Sequence, residues 1–370
     1  MAIVQRRITH YRVEFFNSLK SRLAENNIKL RLMHGEATPR EKTKQDAATI
    51  DWAEAVPTRY LLGQRFNWMS FMQRMEDVDL AILTQENAQL ANQFALVRRP
   101  AKQLAFWGHG GNLQGDYSSL RERYKRWTTL KVDWYFAYTQ LSVELVAATG
   151  FPRQRITCVN NTIDLQTLQE GIAISRTNYS IADGPERDVV FSPVGLFLGS
   201  IYPDKELGLL LLAAKLIRQE VPNFQLIIAG AGPDEDLARR AASDNSWITF
   251  MGPVHGEQKW RLLSQAALYM NPGLIGLGIL DAFAAGIPVL TTNFGRHSPE
   301  ISYLDASNGI STPHDPREYA TAAVRLLRDQ SLRSKLCEGS RLSADKYGLD
   351  KMVANFSDGI NTCLNQKRTK

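Results

Sequence analysis

Residues Asn271-Pro272-Gly273-Leu274-Ile275-Gly276-Leu277-Gly278-Ile279-Leu280-Asp281 set a glycine-bearing loop between a short apolar run and a helical stretch. A helix start of this kind presents backbone N–H groups without intrahelical partners, together with a partial positive charge. A diphosphate is its natural occupant. Asp281, about one turn into the helix, is then placed to accept hydrogen bonds from ribose hydroxyls. The same residues also fit a tight strand-to-helix turn with a solvated Asp281. A second loop, Leu198-Gly199-Ser200-Ile201-Tyr202-Pro203-Asp204-Lys205, again joins a strand end to a helix start. Lys205 is there either a point charge for phosphate oxygens or a surface lysine in a first turn. A third stretch, Phe106-Trp107-Gly108-His109-Gly110-Gly111, holds a histidine between glycines at a strand end, where it is exposed and closely approachable.

These loops need elements to hold them. Short apolar runs alternate with longer amphipathic ones, which predicts an α/β protein with parallel sheets. In the first half the patterns predict strands over 28–34, 60–62, 78–83, 103–107, 135–138 and 156–159, with helices over 11–25 and 87–96. Residues 166–190 show little periodicity and many turn-forming residues, and they read as a connector. The second half predicts strands over 196–199, 225–229, 247–251, 268–271 and 289–292. Helices follow over 205–220, 276–285, 316–329, 332–346 and 351–364. About six βα units make this a doubly wound domain, in which ligands sit at the carboxyl ends of strands. The expected organisation is a domain over 1–165, a connector over 166–190, a second domain over 191–345, and a terminal helix over 346–370 that packs back on the first domain.

The chain has 370 residues, with 44% hydrophobic and 22% charged, the profile of an ordinary globular protein. Cys158, Cys337 and Cys363 are odd in number and scattered, which speaks against a disulfide framework or a zinc site and for a reducing compartment. The first seven residues lack the long apolar core of a signal peptide, and no run approaches the ~18 apolar residues of a membrane span. A cytoplasmic location is therefore expected. Asp77-Val78-Asp79 and Asp234-Glu235-Asp236 have D-x-D spacing but read as structural, so no metal site is expected. The net charge of +6 is uneven: residues 1–165 hold 23 Lys+Arg against 16 Asp+Glu. A basic first half suits an anionic partner. No nucleic-acid motif accompanies it. Within that half, residues 64–74 (QRFNWMSFMQR) read as a helix with Phe66 and Met69 on one side and Trp68, Phe71 and Met72 on another. Such a helix would either dip into an anionic membrane surface or pack into its own domain.

Taken together these motifs resemble the family 4 retaining glycosyltransferases, which have the GT-B fold: two Rossmann-like doubly wound domains facing a central cleft. Gly199 through Lys205 resembles the family's G-R-L-x-x-x-K-G segment. Gly230-Ala231-Gly232-Pro233 resembles its G-x-G-P turn, and Phe250-Met251-Gly252-Pro253-Val254 its F-x-G-x-V segment. Gly273 through Asp281 is similar to E-x7-E, and 281–289 (DAFAAGIPV) to E-A-M-A-x-G-x-P-V. Val159-Asn160-Asn161-Thr162-Ile163-Asp164 resembles V-x-N-G-I-D, and His109 matches an H-G at the donor site. The resemblance implies that Gly199, Ser200, Lys205, Gly232, Pro253, Val254, Gly273, Leu274, Ile275, Gly276, Leu277 and Asp281 bind the donor. His109 and Lys205 would be catalytic, and Arg12, Trp107, Gly110, Asn161 and Glu300 would contact acceptor or donor. Three departures stand out: Gly273 replaces the first acid of E-x7-E, Asp281 stands for the second acid with one methylene fewer, and Ser200 replaces the arginine of G-R-L.

The implied activity is transfer of a hexose-type sugar, with retention and without a metal, from a UDP- or GDP-linked donor. The implied acceptor is a glycan or lipid-diphosphate-linked glycan, in the synthesis of bacterial surface polysaccharide or lipopolysaccharide. The enzyme would be peripheral at the inner membrane face. Two competing readings are a GT-B-like binding protein without catalysis and a nucleotide-sugar epimerase. The acidic and histidine residues expected of the epimerase are not evident.

Overall fold

A computed structural model of the chain describes residues 1–38, 47–111, 120–182 and 193–366. It divides into two compact units, Met1–Asp164 with Leu349–Lys370, and Leu165–Gly348. The first unit holds strands β1 (Ala2–Gln5), β2 (Arg31–His34), β3 (Glu54–Ala55), β4 (Thr58–Leu61), β5 (Phe66–Met69), β6 (Leu80–Thr84), β7 (Gln103–Gly108), β8 (Trp134–Ala137) and β9 (Ile156–Cys158). Its helices are α1 (Val13–Glu25), α2 (Leu90–Arg98), α3 (Leu120–Thr129) and α4 (Gln140–Ala147). Seven strands form one parallel sheet in the order β3-β2-β1-β6-β7-β8-β9. The central strands are buried on both faces, as parallel strands covered by helices must be. The chain's last helix, Leu349–Asn365, lies on this unit, and its Phe356 stacks on Phe136 with centroids 4.5 Å apart.

Residues 64–74 are not a helix. Phe66–Met69 pairs antiparallel with Thr58–Leu61 in a hairpin, and only a short turn of 3-10 helix follows at Met72–Arg74. The reversal is carried by Leu62, Gly63 and Gln64, all with positive φ. Alternation decides the outcome: Asn67 and Met69 face inward, and Met69, Phe71 and Met75 join the core around Val4, Leu83 and Phe106. Met69, Phe71 and Met75 therefore stabilise the domain from inside, so the membrane-facing helix expected from the sequence does not form.

The second unit begins where a connector was expected. Residues 166–182 lie in α5 (Leu165–Ala182), because Leu165, Leu168, Ile172 and Ser175 recur at helical spacing and are buried. The rest of the expected connector, 183–190, falls outside the described residues. Further along come β10 (Val194–Leu198), α6 (Leu207–Glu220), β11 (Gln225–Ala229), α7 (Glu235–Asp244), β12 (Ile248–Gly252), α8 (Gly256–Gln265), β13 (Leu268–Met270), α9 (Gly278–Ala285), β14 (Val289–Thr292), β15 (Gly309–Thr312), α10 (Pro316–Arg328) and α11 (Gln330–Lys346). The sheet is parallel, in the order β12-β11-β10-β13-β14-β15. After β10 the chain winds outward through β11 and β12, then returns to β13 on the other side. The strand order thus reverses between β10 and β13, the place where open α/β sheets bind ligands. Among the described residues no helix is long and apolar enough to cross a membrane.

Candidate functional site

The loops after β10 and β13 flank this reversal and are tied to each other. The β13 loop runs under a turn at Pro203–Lys205. Leu274 N–H donates to the Asp204 carbonyl at 2.6 Å, and Lys205 Nζ donates to the Leu274 carbonyl at 2.5 Å. Asn271 Nδ2 reaches the same carbonyl at 3.1 Å. The close approach explains Gly273. A Cβ there would sit 2.2 Å from the Asp204 carbonyl oxygen and 2.5 Å from Lys205 backbone carbon. No residue with a side chain fits, so the missing first acid is built into the backbone path of this chain.

Lys205 is 9% exposed. Burial pulls its pKa down to about 8; besides the Leu274 carbonyl, its Nζ lies 5.7 Å from the Tyr202 ring centroid. A buried ammonium without a carboxylate is costly unless an anion joins it. The backbone donors divide into two groups. The N–H groups of Leu274 and Ile275 are used inside the protein, the second by His297 Nδ1 at 3.1 Å. Leu274 and Ile275 are buried, whereas Gly276, Leu277 and Gly278 are half-exposed. The amides of these three make no hydrogen bond to any described residue. They are the donors an incoming phosphate would meet at the start of α9.

Asp281 lies in the first turn of α9 and is 7% exposed. Lys259 of α8 places its Nζ 2.7 Å from Asp281 Oδ1, an ion pair whose angle falls outside hydrogen-bond geometry. Asp281 therefore keeps acceptor capacity. Gly199 and Ser200 lie at the tip of β10, and Ser200 is exposed. Gly232 supports the first loop from behind: its φ is +156° and a Cβ would fall 2.0 Å from the Ile201 carbonyl. Pro253 is exposed and Val254 buried just past the sheet's edge strand β12. Glu300 is buried in a short 3-10 turn, Pro299–Tyr303.

In the first unit the structure gathers Arg12, Trp107, Asn161 and His109 at the carboxyl ends of β1, β7 and β9. Arg12 is buried, donates to Asn161 Oδ1, and lies 5.0 Å over the Trp107 ring. Tyr138 links Trp107 and His109, with centroids 5.9 and 4.5 Å away. His109 is exposed by surface area yet set in a recess dense with protein atoms. That surrounding mass, followed by the charges of Lys125 and Arg12, holds its pKa below the usual histidine value. Water at the exposed ring softens the shift but leaves its direction. Gly110 donates its N–H to the Tyr135 hydroxyl at 2.9 Å, which fixes the glycine turn beside His109. His109 is carried by the first unit and Lys205 by the second.

Sequence reasoning missed Lys259, His297, Thr292 and Tyr138. Lys259 and Asp281 are 22 positions apart, and only the packing of α8 on α9 joins them. Thr292 Oγ1 donates to the Pro272 carbonyl at 2.6 Å, a contact that no local pattern signals. A surface hollow of about 440 Å³ lined by Lys20, Arg31, Trp52 and Glu54 contains none of the expected site residues.

Residues 192–329 match the family described as glycosyl transferases group 1. Among curated relatives, a D-inositol 3-phosphate glycosyltransferase of Salinispora arenicola is 29% identical over 46% of this chain and 41% of its own length. A phosphatidyl-myo-inositol mannosyltransferase of Mycobacterium leprae is 28% identical over 41% of this chain and 42% of its own. The chain thus spans about two-fifths of the curated relatives it matches. Solved structures align over nearly the whole length. HepE of Anabaena in complex with UDP has a TM-score of 0.70 at 13% identity, covering 97% of this chain and 98% of that one. WaaG, a glycosyltransferase involved in lipopolysaccharide biosynthesis, has a TM-score of 0.63 at 16% identity, covering 96% and 98%. The chain has the two-domain α/β GT-B fold, and residues 192–329 of its second unit match the glycosyl transferases group 1 family.

Proposed function

We propose that this protein is a retaining glycosyltransferase that moves a hexose-type sugar from a nucleoside-diphosphate donor to a glycan or lipid-linked glycan. The observation that carries the reading is the pairing, at one sheet reversal, of buried Lys205 with the three unpaired amides of Gly276, Leu277 and Gly278. A leaving diphosphate needs such preorganised donors, which act strongly in a site from which water is excluded. Lys205 supplies the charge, the amides supply directed N–H groups, and Asp281 accepts from the ribose. His109 contacts the transferred sugar. The diphosphate is stabilised by protein donors, without a metal. Retention is read as same-face displacement assisted by the leaving phosphate. HepE was solved with UDP and with UDP-glucose, which favours a uridine donor.

The acceptor is read as a phosphate-bearing glycan or lipid of bacterial surface polysaccharide synthesis. The first unit's positive charge and the buried Arg12 favour an anionic acceptor. Peripheral membrane association moves from residues 64–74 to α3. Leu120, Tyr124, Trp127 and Leu130 recur at helical spacing and are all exposed. Arg123, Arg126 and Lys131 lie among them. An apolar stripe edged by cations suits an anionic headgroup layer. The deciding experiment is a thermal-shift panel of UDP-, GDP-, dTDP- and ADP-sugars. A donor at 100 times its Kd adds about 2.7 kcal/mol of stability. One nucleotide class should raise Tm and undergo turnover with a phosphoglycan acceptor. A panel with no shift for any nucleotide refutes the reading.

A further inference from the structure

His297 is buried and precedes the 3-10 turn at Pro299–Tyr303. Both its ring nitrogens are engaged. Nε2 faces the Thr292 carbonyl at 2.8 Å. A carbonyl only accepts, so Nε2 carries the proton and Nδ1 is bare. Bare Nδ1 accepts the Ile275 N–H at 3.1 Å, and Ser298 N–H returns to the Ile275 carbonyl at 3.0 Å. Residues 297 and 298 therefore hold both backbone polar groups of Ile275. One position later the free amides of Gly276, Leu277 and Gly278 begin.

We propose that His297 is a positioning residue for the phosphate-facing loop, whose neutral imidazole locks the turn at 272–276 and whose protonation releases it. A second ring proton would put a donor at Nδ1 against the Ile275 N–H, and the bond between them would be lost. The surroundings oppose that proton. Burial lowers the His297 pKa; the hydrogen bond to the Thr292 carbonyl opposes it, and the charges of Lys205 and His314, each a smaller effect than that bond, lower it further. The other charged groups around the loop are Glu206, 3.7 Å from His314 Nε2, and the Asp204–Arg296 pair at 3.2 Å. The Phe294 ring meets His297 edge-on at 6.1 Å. The loop is thus stable at neutral pH and opens in acid. This inference rests on reading the loop as the diphosphate site.

Two substitutions separate the ring's two nitrogens. His297→Asn places an amide oxygen near Nδ1 and keeps an acceptor for Ile275 without titrating. His297→Gln reaches toward Thr292 but leaves Ile275 without its acceptor. The test is hydrogen exchange of the peptide containing Ile275 in the ligand-free full chain, corrected for intrinsic rates, from about pH 8 down to about pH 4, because burial holds the His297 pKa below the ordinary histidine value. UDP and GDP affinities are measured by calorimetry over the same range. Wild-type protection of Ile275 should fall as pH falls. The Asn variant should stay protected without that transition, and the Gln variant should be unprotected throughout. UDP affinity should follow the same order, with the Gln variant weaker by about five- to tenfold, the worth of one hydrogen bond. The Asn variant also corrects for the nucleotide's own phosphate ionisation. Equal protection of Ile275 in wild type and the Gln variant overturns the positioning role. Protection that follows His297 while neither nucleotide binds any variant overturns instead the diphosphate reading of the loop, and with it the acid-sensitive affinity.

Discussion

Gly273 offers the sharpest perturbation, because the position that carries an acid in the resembled motif is here closed by backbone. Gly273→Ala adds one methyl whose centre would lie 2.2 Å from the Asp204 carbonyl oxygen and 2.8 Å from Lys205 Cα. Relief requires the two loops to part by about 1 Å, and neither contact is a flexible side-chain end. Parting stretches the 2.6 Å bond from Leu274 N–H to Asp204 and the 2.5 Å bond from Lys205 to Leu274. Overpacking costs about 1–3 kcal/mol, and a weakened buried backbone bond adds about 0.5–1.5 kcal/mol. The expected destabilisation is then roughly 2–4 kcal/mol, or about 4–16 °C in the Tm of a domain the size of the second unit. The assay is calorimetric unfolding alongside nucleotide titration. Gly273→Glu, which restores the motif on paper, should be at least as destabilised and should gain no turnover. An unchanged Tm in the alanine variant, or a glutamate variant with raised kcat/KM, would refute the steric argument.

The remaining expectations follow from the same geometry. Lys205→Met should weaken nucleoside-diphosphate binding by about 1.5–3 kcal/mol, the range for hydrogen bonds to charged groups; titration calorimetry measures it, and equal affinity removes Lys205 from the site. Because the pKa of Lys205 falls to about 8 on folding, the unfolded chain binds more protons between that pH and the ordinary lysine value. Stability contributed by this group therefore rises with pH across that window, and the slope should vanish in Lys205→Met and shrink when diphosphate is bound. Asp281→Ala should cost about 1.5–3 kcal/mol of donor affinity, and the loss should disappear with a 2′,3′-dideoxy nucleotide; a loss of equal size for both would assign Asp281 to something other than ribose. His109→Ala should lower kcat more than donor affinity. The lowered pKa keeps wild-type His109 neutral, so its ionisation should take nothing from kcat as pH falls from about 8 to the ordinary histidine value. Full kcat in the variant excludes the role. Trp127→Ala and Arg126→Glu should each reduce sedimentation with anionic vesicles at low salt, and binding indifferent to salt and lipid charge would sink the α3 assignment.

Much of the second unit could be read from sequence because its signals are local. Gln225–Ala229 and Val289–Thr292 are short apolar runs between turn residues, and both are strands with those bounds. The glycine-bearing loops lie between such runs, so locating the strands located the loops. The first unit was less legible where one composition fits two structures. Phe66, Trp68, Met69 and Phe71 satisfy a helical or an alternating pattern equally well. What selects the hairpin is the positive-φ reversal at Leu62–Gln64 and the cavity that Met69 and Phe71 fill. Neither is written in the segment itself. The basic helix α3 was missed although Leu120, Tyr124 and Trp127 recur at helical spacing, and its stripe lies exposed instead of marking a core face.

The candidate site divides along the same line. Residues whose role depends on backbone shape, such as Gly276 and Gly278, are visible as punctuation in sequence. Residues that act by reaching across the fold are not: Lys259 meets Asp281 only because α8 packs against α9, and His297 meets Ile275 only because the loop after β14 folds back over the loop after β13. The departure at Gly273 belongs to this second kind. From sequence it looks like the loss of an acid, a subtraction from a motif. In the fold it is the condition for Lys205 to approach the Leu274 carbonyl, since any Cβ would hold the two loops apart. The glycine and the buried lysine are thus one arrangement. A chain that regained the acid would have to move the lysine away from the amides that the proposed diphosphate site requires.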